Sequence, residues 1–208
     1  MIYGDKDIRE KVFAAGVVEN AHAKQINPAS LNIRLGSTFL KPKPCQMVQL
    51  GWEMEYDRVE VTPGQVYTIK PGEFVLATTM EKITMPPNLA AFVQGRSSIG
   101  RIGLTVQNAG FIDPGFSGHI TLELVNESTA ELLLVPGYPV GQLVFFETTP
   151  VESPYHGKYN GQVEATGSRM FLDGLNNRCV CCGELIPEGR QVCPSCDKRK
   201  AVKPNERK

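Results

Sequence analysis

Between residues 91 and 126 the sequence gathers cationic, hydroxyl and carboxylate side chains among tight turns. Gly95-Arg96-Ser97-Ser98 opens the stretch, and Arg101 follows Ser97 four residues on. A short helix over 97–104 would place Ser97 and Arg101 on one face. Helix N-termini attract anions, and an arginine fork binds phosphate oxygens in pairs. Ile112-Asp113-Pro114-Gly115 then reads as a strand end entering a Pro-Gly turn. After it the chain alternates: Ile120, Leu122 and Leu124 face one way, while His119, Thr121, Glu123 and Val125 face the other. Glu123 therefore stands mid-strand on an element buried on at least one side. That is an unusual place for a surface carboxylate, and the structural alternative is that it merely pairs with Arg101.

A second group of reactive residues lies near the end of the chain. Of six cysteines, Cys179, Cys181, Cys182, Cys193 and Cys196 fall within 179–196. Cys179/Cys182 and Cys193/Cys196 form two C-x-x-C pairs, which can present four thiolates tetrahedrally, as a structural zinc site requires. The gap between the pairs has room for a turn around Pro187-Glu188-Gly189, and Cys181 is left over. A redox C-x-x-C or a pair of disulfides are the other readings. The doubled spacing and the absence of a secretory signal at the N-terminus favour zinc. So small a module has no core of its own, and metal binding would supply its folding energy.

The elements that must position these residues are mostly strands. Leu31, Ile33 and Leu35 alternate with Asn32 and Arg34, which predicts a half-buried surface strand with an outward arginine. From 48 to 149 short apolar or alternating runs follow: Val66–Ile69, Phe74–Thr78, Leu89–Val93, His119–Val125, Leu132–Val135 and Gln142–Glu147. Pro63-Gly64, Pro71-Gly72, Pro114-Gly115 and Pro136-Gly137 divide them with tight reversals. Many short strands with frequent turns predict an all-β sandwich, jelly roll or barrel. Only 5–16, with Asp5 as cap, Gly16 as stop and an Ile8, Val12, Phe13 stripe, and 97–104 read as helical. Residues 150–169 have no period and read either as a disordered linker or as a lid, for which Tyr155, Lys158, Tyr159, Gln162 and Arg169 are suitable nucleotide-contacting groups.

The 208 residues suffice for one full core plus a small appendage, and the formal net charge is zero. The chain as a whole thus makes no electrostatic case for nucleic acid or membrane. Lys/Arg against Asp/Glu count 14 to 17 over 1–170 and 8 to 5 over 171–208, a mildly acidic body with a mildly basic end. The basic run Lys198-Arg199-Lys200-Ala201-Val202-Lys203 reads as a solvated tail, with nucleic acid or an acidic protein as the partner otherwise. No stretch is long and apolar enough for a membrane span, and the charged N-terminus is no signal peptide, so a cytoplasmic location is expected.

Three stretches together resemble the dCTP deaminase family of the dUTPase superfamily. They are Gly95 to Arg101, Ala109-Gly110-Phe111-Ile112-Asp113-Pro114-Gly115-Phe116-Ser117-Gly118, and Ile120-Thr121-Leu122-Glu123-Leu124. The likeness extends to Asn27 through Gly36, to Pro136-Gly137 through Gln142, and to Lys158 through Gln162 with Ser168-Arg169. It covers about residues 1–169 in consistent order and leaves the cysteine tail outside. It implies a distorted β jelly roll with few short helices over 1–170, in which 150–169 is a closing segment, followed by a zinc-knuckle module over 171–208. It further implies a homotrimer with active sites shared between subunits.

By position in the motifs, the resemblance makes Glu123 the general base that activates the water attacking C4 of cytosine. Ser97 and Arg101 would assist at that water and base, Arg96 would sit near the phosphates, and Asp113 near the deoxyribose, where it could position a second water. Ser98, Asn108, Ala109, Phe111, Gln142, Tyr155, Lys158 and Gln162 complete the expected substrate contacts, and Mg2+ would ride on the triphosphate. Some positions depart from the family pattern. Asn32 replaces a common aspartate, Asn108 a common threonine, and 105–111 is one residue short. Ala109-Gly110-Phe111 resembles members that convert dCTP directly to dUMP, so dUTP is a second candidate substrate. A plain dUTPase would have no use for Glu123, and a non-catalytic nucleotide-binding regulator with an interaction tail is the rival of another class. A zinc-dependent cytidine deaminase is excluded. His22, His119 and His156 are followed two residues on by Lys24, Thr121 and Lys158, so H-x-E is missing.

Overall fold

The four expected Pro-Gly turns all form: in the computed structural model Gly64, Gly72, Gly115 and Gly137 have φ between 73° and 90°. The structure describes residues 1–107, 110–173, 179, 181–184, 186 and 192–196. Asn108, Ala109, the turn at 187–189 and the basic run at 198–203 therefore lie outside the described residues.

The chain opens with a short helix α1 (Asp5–Asp7) that continues with π-type bonding through Ile8–Phe13. Gly4 occupies the cap position and Asp5 the first turn, so the expected aspartate cap is absent. Ile8 and Val12 are buried as the stripe predicted, and Gly16 ends the element in the left-handed region. Strands β1 (Val18–Glu19), β2 (Ile26–Asn27), β3 (Ser30–Pro42), β4 (Tyr56–Glu60), β5 (Tyr67–Ile69), β6 (Phe74–Thr84) and β7 (Leu89–Gly95) follow. A single helical turn α2 (Ser97–Gly100) then replaces the longer helix expected over 97–104. Gly103 breaks it at positive φ, and β8 (Leu104–Gln107) begins immediately after. The rest is β9 (Phe111–Ile112), β10 (Ser117–Asn126), β11 (Leu132–Leu134) and β12 (Pro139–Glu147). The fold is thus mostly β with few short helices.

The main sheet runs β8-β10-β6-β3-β12-β7-β9, and β5 with β11 forms a separate pair. Its long strands curl because β3 changes partner along its length. Leu31 to Arg34 pair with β12, whereas Leu35 to Leu40 pair with β6. Both ladders of β6 are irregular there, shifting at Leu35/Phe39 and at His119/Thr121. Alternate residues Leu31, Ile33, Leu35 and Phe39 point into one core with Val75, Ala77, Ile83, Leu122, Leu124, Leu143 and Phe145.

Arg34 corrects the expected surface strand. Its side chain is only 15% exposed and pairs with Glu81, which is fully buried. Arg34 Nε donates to Glu81 Oε1 at 2.7 Å and its backbone N–H to Oε2 at 2.8 Å. Gln25 Nε2 also donates to Oε1, at 2.9 Å. The carboxylate thus accepts where the two ladders part, and a buried charge is tolerated because it is paired and hydrogen-bonded. Arg34→Met should leave this carboxylate uncompensated and cost about 3–5 kcal/mol in urea unfolding. Adding Glu81→Gln should recover part of the loss, since the amide oxygen can still accept. A cost below about 1 kcal/mol, the scale of a surface pair, would contradict this role.

Candidate active site

Strand β10 has one face in the core, so its pleat turns Thr121 and Glu123 outward into a cavity of about 530 Å³. Ladders to β6 (Glu123↔Leu76) and β8 (Glu123↔Gln107) flank Glu123 and fix its position. Leu76, Val93, Phe111, Phe116 and Leu122 contribute apolar and aromatic walls, and Asp113 stands at the rim beside the Pro114-Gly115 turn. Among the described residues no lysine or arginine pairs with Glu123. Its carboxyl is held above the ordinary value of 4.5, and burial away from water is the cause. The simple pairing of Glu123 with Arg101 is therefore not the arrangement adopted.

The other side of the cavity is the 150–169 segment, here called the strap, which is ordered along β10. Tyr155 N–H donates to Pro114 O (2.8 Å), Gly161 N–H to Ser117 O (2.6 Å) and His119 N–H to Gln162 O (2.8 Å). The Gln162 amide returns a bond to His119 O at 2.6 Å, and Thr166 N–H donates to Thr121 Oγ1 at 3.1 Å. Tyr155 packs its ring 6.0 Å from that of Phe116. Two glycines on the strand side make the approach feasible. A Cβ on Gly115 would lie 2.5 Å from Pro154 Cβ, and one on Gly118 2.9 Å from Gln162 O, both at positive φ. Tyr155, Tyr159, Gln162, Thr166 and Ser168 consequently line the same cavity as Glu123. The linker reading of this segment gives way to an ordered wall.

Glu123, Asp113, Phe111, Tyr155 and Gln162 are thus brought together in one chain, and several expected residues are not. Ser97, Ser98 and Arg101 are exposed on and after α2, and none lines the cavity. Arg101 N–H donates to Ser97 O at 3.0 Å, so the two share one turn as expected. The Arg96 guanidinium donates to Pro139 O at 3.0 Å. Gln142 accepts from Ser30 Oγ at 2.9 Å and lies across from Asn32 on β3 and Gln94 on β7. These groups form a second polar constellation, apart from Glu123. Lys158 is turned to Asp173, with which it forms an ion pair. Tyr159, one of the expected lid groups, and Ser168, within the resembling stretch, do line the cavity, whereas Thr121 and Thr166 were missed by sequence reasoning. Thr121 had a signal, since the alternation that placed Glu123 in the site places the residue two before it on the same face.

In the tail, the sulfurs of Cys179, Cys182, Cys193 and Cys196 all lie within 4.8 Å of one another. Cys179, Cys193 and Cys196 are buried and cluster with Ile186 and Val192. All the cysteines are free, and Cys45 and Cys181 are exposed. The set fits a thiophilic metal. Among the described residues no helix is long and apolar enough to cross a membrane.

The dCTP deaminase-like family model matches residues 2–148. A protein of Persephonella marina named "dCTP deaminase, dUMP-forming" is 42% identical over 178 residues, covering 83% of this chain and 99% of its own length. One of the same name from Corynebacterium diphtheriae is 40% identical over 185 residues, with the same coverages. The crystal structure of 2'-deoxycytidine 5'-triphosphate deaminase from Agrobacterium tumefaciens superposes with a TM-score of 0.58 at 21% identity. That match spans 73% of this chain and 49% of the other, and bears on the fold. With residues 2–148 matched by the family model and 42% identity to a relative over 83% of its length, the chain belongs to the dCTP deaminase-like family.

Proposed function

We propose that the protein is a cytoplasmic enzyme that hydrolytically deaminates dCTP and carries the nucleotide on to dUMP and diphosphate. The observation that carries this reading is a strand-borne carboxylate, raised in basicity by burial and unpaired with any described cation, facing a cavity walled by aromatic rings. The names of the full-length relatives supply the substrate and product.

Glu123 takes a proton from a water as its oxygen bonds to C4 of the cytosine ring, and that proton passes to N3. Glu123 then takes the proton of the new C4 hydroxyl and delivers it to the amino group, so that collapse of the tetrahedral carbon leaves a C4 carbonyl and expels ammonia. A carboxylate whose proton affinity lies nearer neutrality performs both transfers better than an ordinary one. The apolar walls exclude competing water and suit the flat face of the base. Asp113 at the rim faces the deoxyribose and positions the second water, which attacks the α-phosphorus and releases diphosphate. Magnesium would be held by the triphosphate oxygens, and a zinc held by Cys179, Cys182, Cys193 and Cys196 would be structural and apart from the reaction.

Among the described residues nothing cationic lines the Glu123 cavity, so the triphosphate needs charge from elsewhere. Arg96, Ser97, Ser98, Arg101 and Gln142 form a ready set on another part of the surface. On this reading a homotrimer brings that set of one subunit to the Glu123 cavity of the next, and Lys158 of the strap stays close to the phosphates.

Glu123→Gln should still bind dCTP but turn over roughly 10²–10⁴-fold more slowly. Unchanged turnover would remove Glu123 from the chemistry. Product separation after incubation with magnesium and either dCTP or dUTP should yield dUMP and diphosphate from both. Hydrolysis of dUTP with no action on dCTP would instead favour a plain dUTP diphosphatase.

The acid limb of kcat/KM should lie above pH 4.5, because only ionised Glu123 can accept the proton and burial holds its pKa up. The sign for stability is opposite. A carboxyl with a raised folded pKa favours the fold while protonated, and that contribution is lost as pH rises through the folded value. At neutral pH the Glu123→Gln protein should therefore unfold at the same or a higher temperature than the parent, checked by calorimetry. A lower Tm would indicate that the carboxylate is a structural anchor.

Mixing inactive Glu123→Gln chains with inactive Arg101→Met chains tests the shared site. Mixed oligomers, isolated through two different tags, should regain deamination. Mixed oligomers that stay inactive would place the whole site within one chain.

A further inference from the structure

The strap and the cysteine tail meet at one contact whose consequence neither the fold nor the reaction requires. Lys158 has a side chain only 8% exposed, and its ammonium bonds the Asp173 carboxylate. The Arg169 guanidinium donates to the Lys158 carbonyl, and Arg169 N–H donates to Tyr159 OH at 3.0 Å. The strap's bonds to the body at Tyr155, Asn160, Gly161, Gln162, Thr166 and Ser168, with an exposed Glu164–Arg58 ion pair, are separate contacts and not a continuous ladder. A segment held at separate points opens at low free energy unless its far end is tied down. Asp173 is that far end, and Cys179 follows six residues later, within about 20 Å of extended chain.

The thiolate cluster has the dimensions to act as the tie. Four sulfurs about zinc, each about 2.3 Å from the ion, would be about 3.8 Å apart. The Cys182 and Cys193 sulfurs are 3.6 Å apart, far beyond the about 2.05 Å of a disulfide. The backbone is already wound around the sulfurs. Gly183, at φ 74°, donates its N–H to Cys179 O at 2.8 Å, and Cys196 N–H reaches Cys193 Sγ at 3.4 Å. Apart from the cysteines, Ile186 and Val192 are the described apolar residues of this cluster. So small a core holds its shape through metal binding.

We propose that zinc on Cys179, Cys182, Cys193 and Cys196 makes the tail a clasp, which fastens the strap against β10 through Asp173 and Lys158. This rests on the zinc reading given above, and the two can fail separately. In the metal-loaded clasp the chain past Leu172 is short and anchored, so Asp173 stays within reach of Lys158. Without metal the anchor is lost and the ion pair costs more chain entropy to form.

The test uses the full chain, measuring zinc per chain by elemental analysis and amide hydrogen exchange over residues 153–166. The loaded parent and the Cys181→Ser variant should each hold one zinc. Cys193→Ser with Cys196→Ser should lose it, and the amides of Tyr155, Gly161 and Thr166 should exchange about tenfold faster or more. Asp173→Asn should keep the zinc and show the same acceleration, which separates loss of the clasp from collapse of the tail. Zinc bound, yet unchanged strap exchange in both variants, would overturn the clasp. Acceleration in the cysteine variant alone would overturn the Lys158–Asp173 connection. A parent chain that takes up no zinc, or a Cys181→Ser chain that loses it, would overturn the metal reading.

Discussion

A strand has two faces, and in β10 both are committed. Leu122 and Leu124 go into the core, so Thr121 and Glu123 have no choice but the opposite side. With β6 and β8 bonded on either edge, the strand can neither rotate nor slip by one residue without exchanging leucine for glutamate in the core. The placement of the carboxylate is thereby tied to the same free energy that holds the body together. Partial burial follows from the same geometry, and with it the raised proton affinity of Glu123. The raised pKa follows here from position in a sheet, and among the described residues no lysine or arginine pairs with Glu123.

Much of this was readable before any coordinates. Period-two alternation located β10 and the inward and outward sets on it, and each Pro-Gly pair marked a real reversal, because glycine alone enters the required left-handed turn without strain. Strand lengths were underestimated: β6 was expected over five residues and extends from Phe74 to Thr84. Its second half contains Met80-Glu81-Lys82, where a buried glutamate interrupts any apolar pattern. Arg34 was misplaced for the same reason. Its partner Glu81 lies 47 residues away in sequence, and no local rule pairs them. Strand β4 was missed because its five residues are polar and mostly exposed, so it has no buried face to betray it.

The candidate site was legible in its residues and not in its partition. Spacing put Ser97 and Arg101 on one helix face, and the family resemblance joined them with Asp113 and Glu123 in one site. In the folded chain they divide into a carboxylate cavity and a separate hydroxyl and cation set, because α2 ends after one turn and β8 leads the chain away. The strap was ambiguous because its order comes from backbone groups of β10, which composition cannot register. Thr166, a small polar residue in a segment without period, gave no signal at all.

The irregular ladder between His119 and Thr121 has a further consequence. Before the shift His119 still lies opposite Lys82 of β6, while its backbone N–H and C=O bond the strap residue Gln162. The sheet therefore gives up no ladder bond when the strap comes or goes, and Ile120 N–H stays satisfied by Thr79 Oγ1 in either case. The strap is held by a few surface bonds that the ladders of the sheet beneath do not share. Selection could thus adjust the pace of release by changing strap residues, with little effect on the melting of the body.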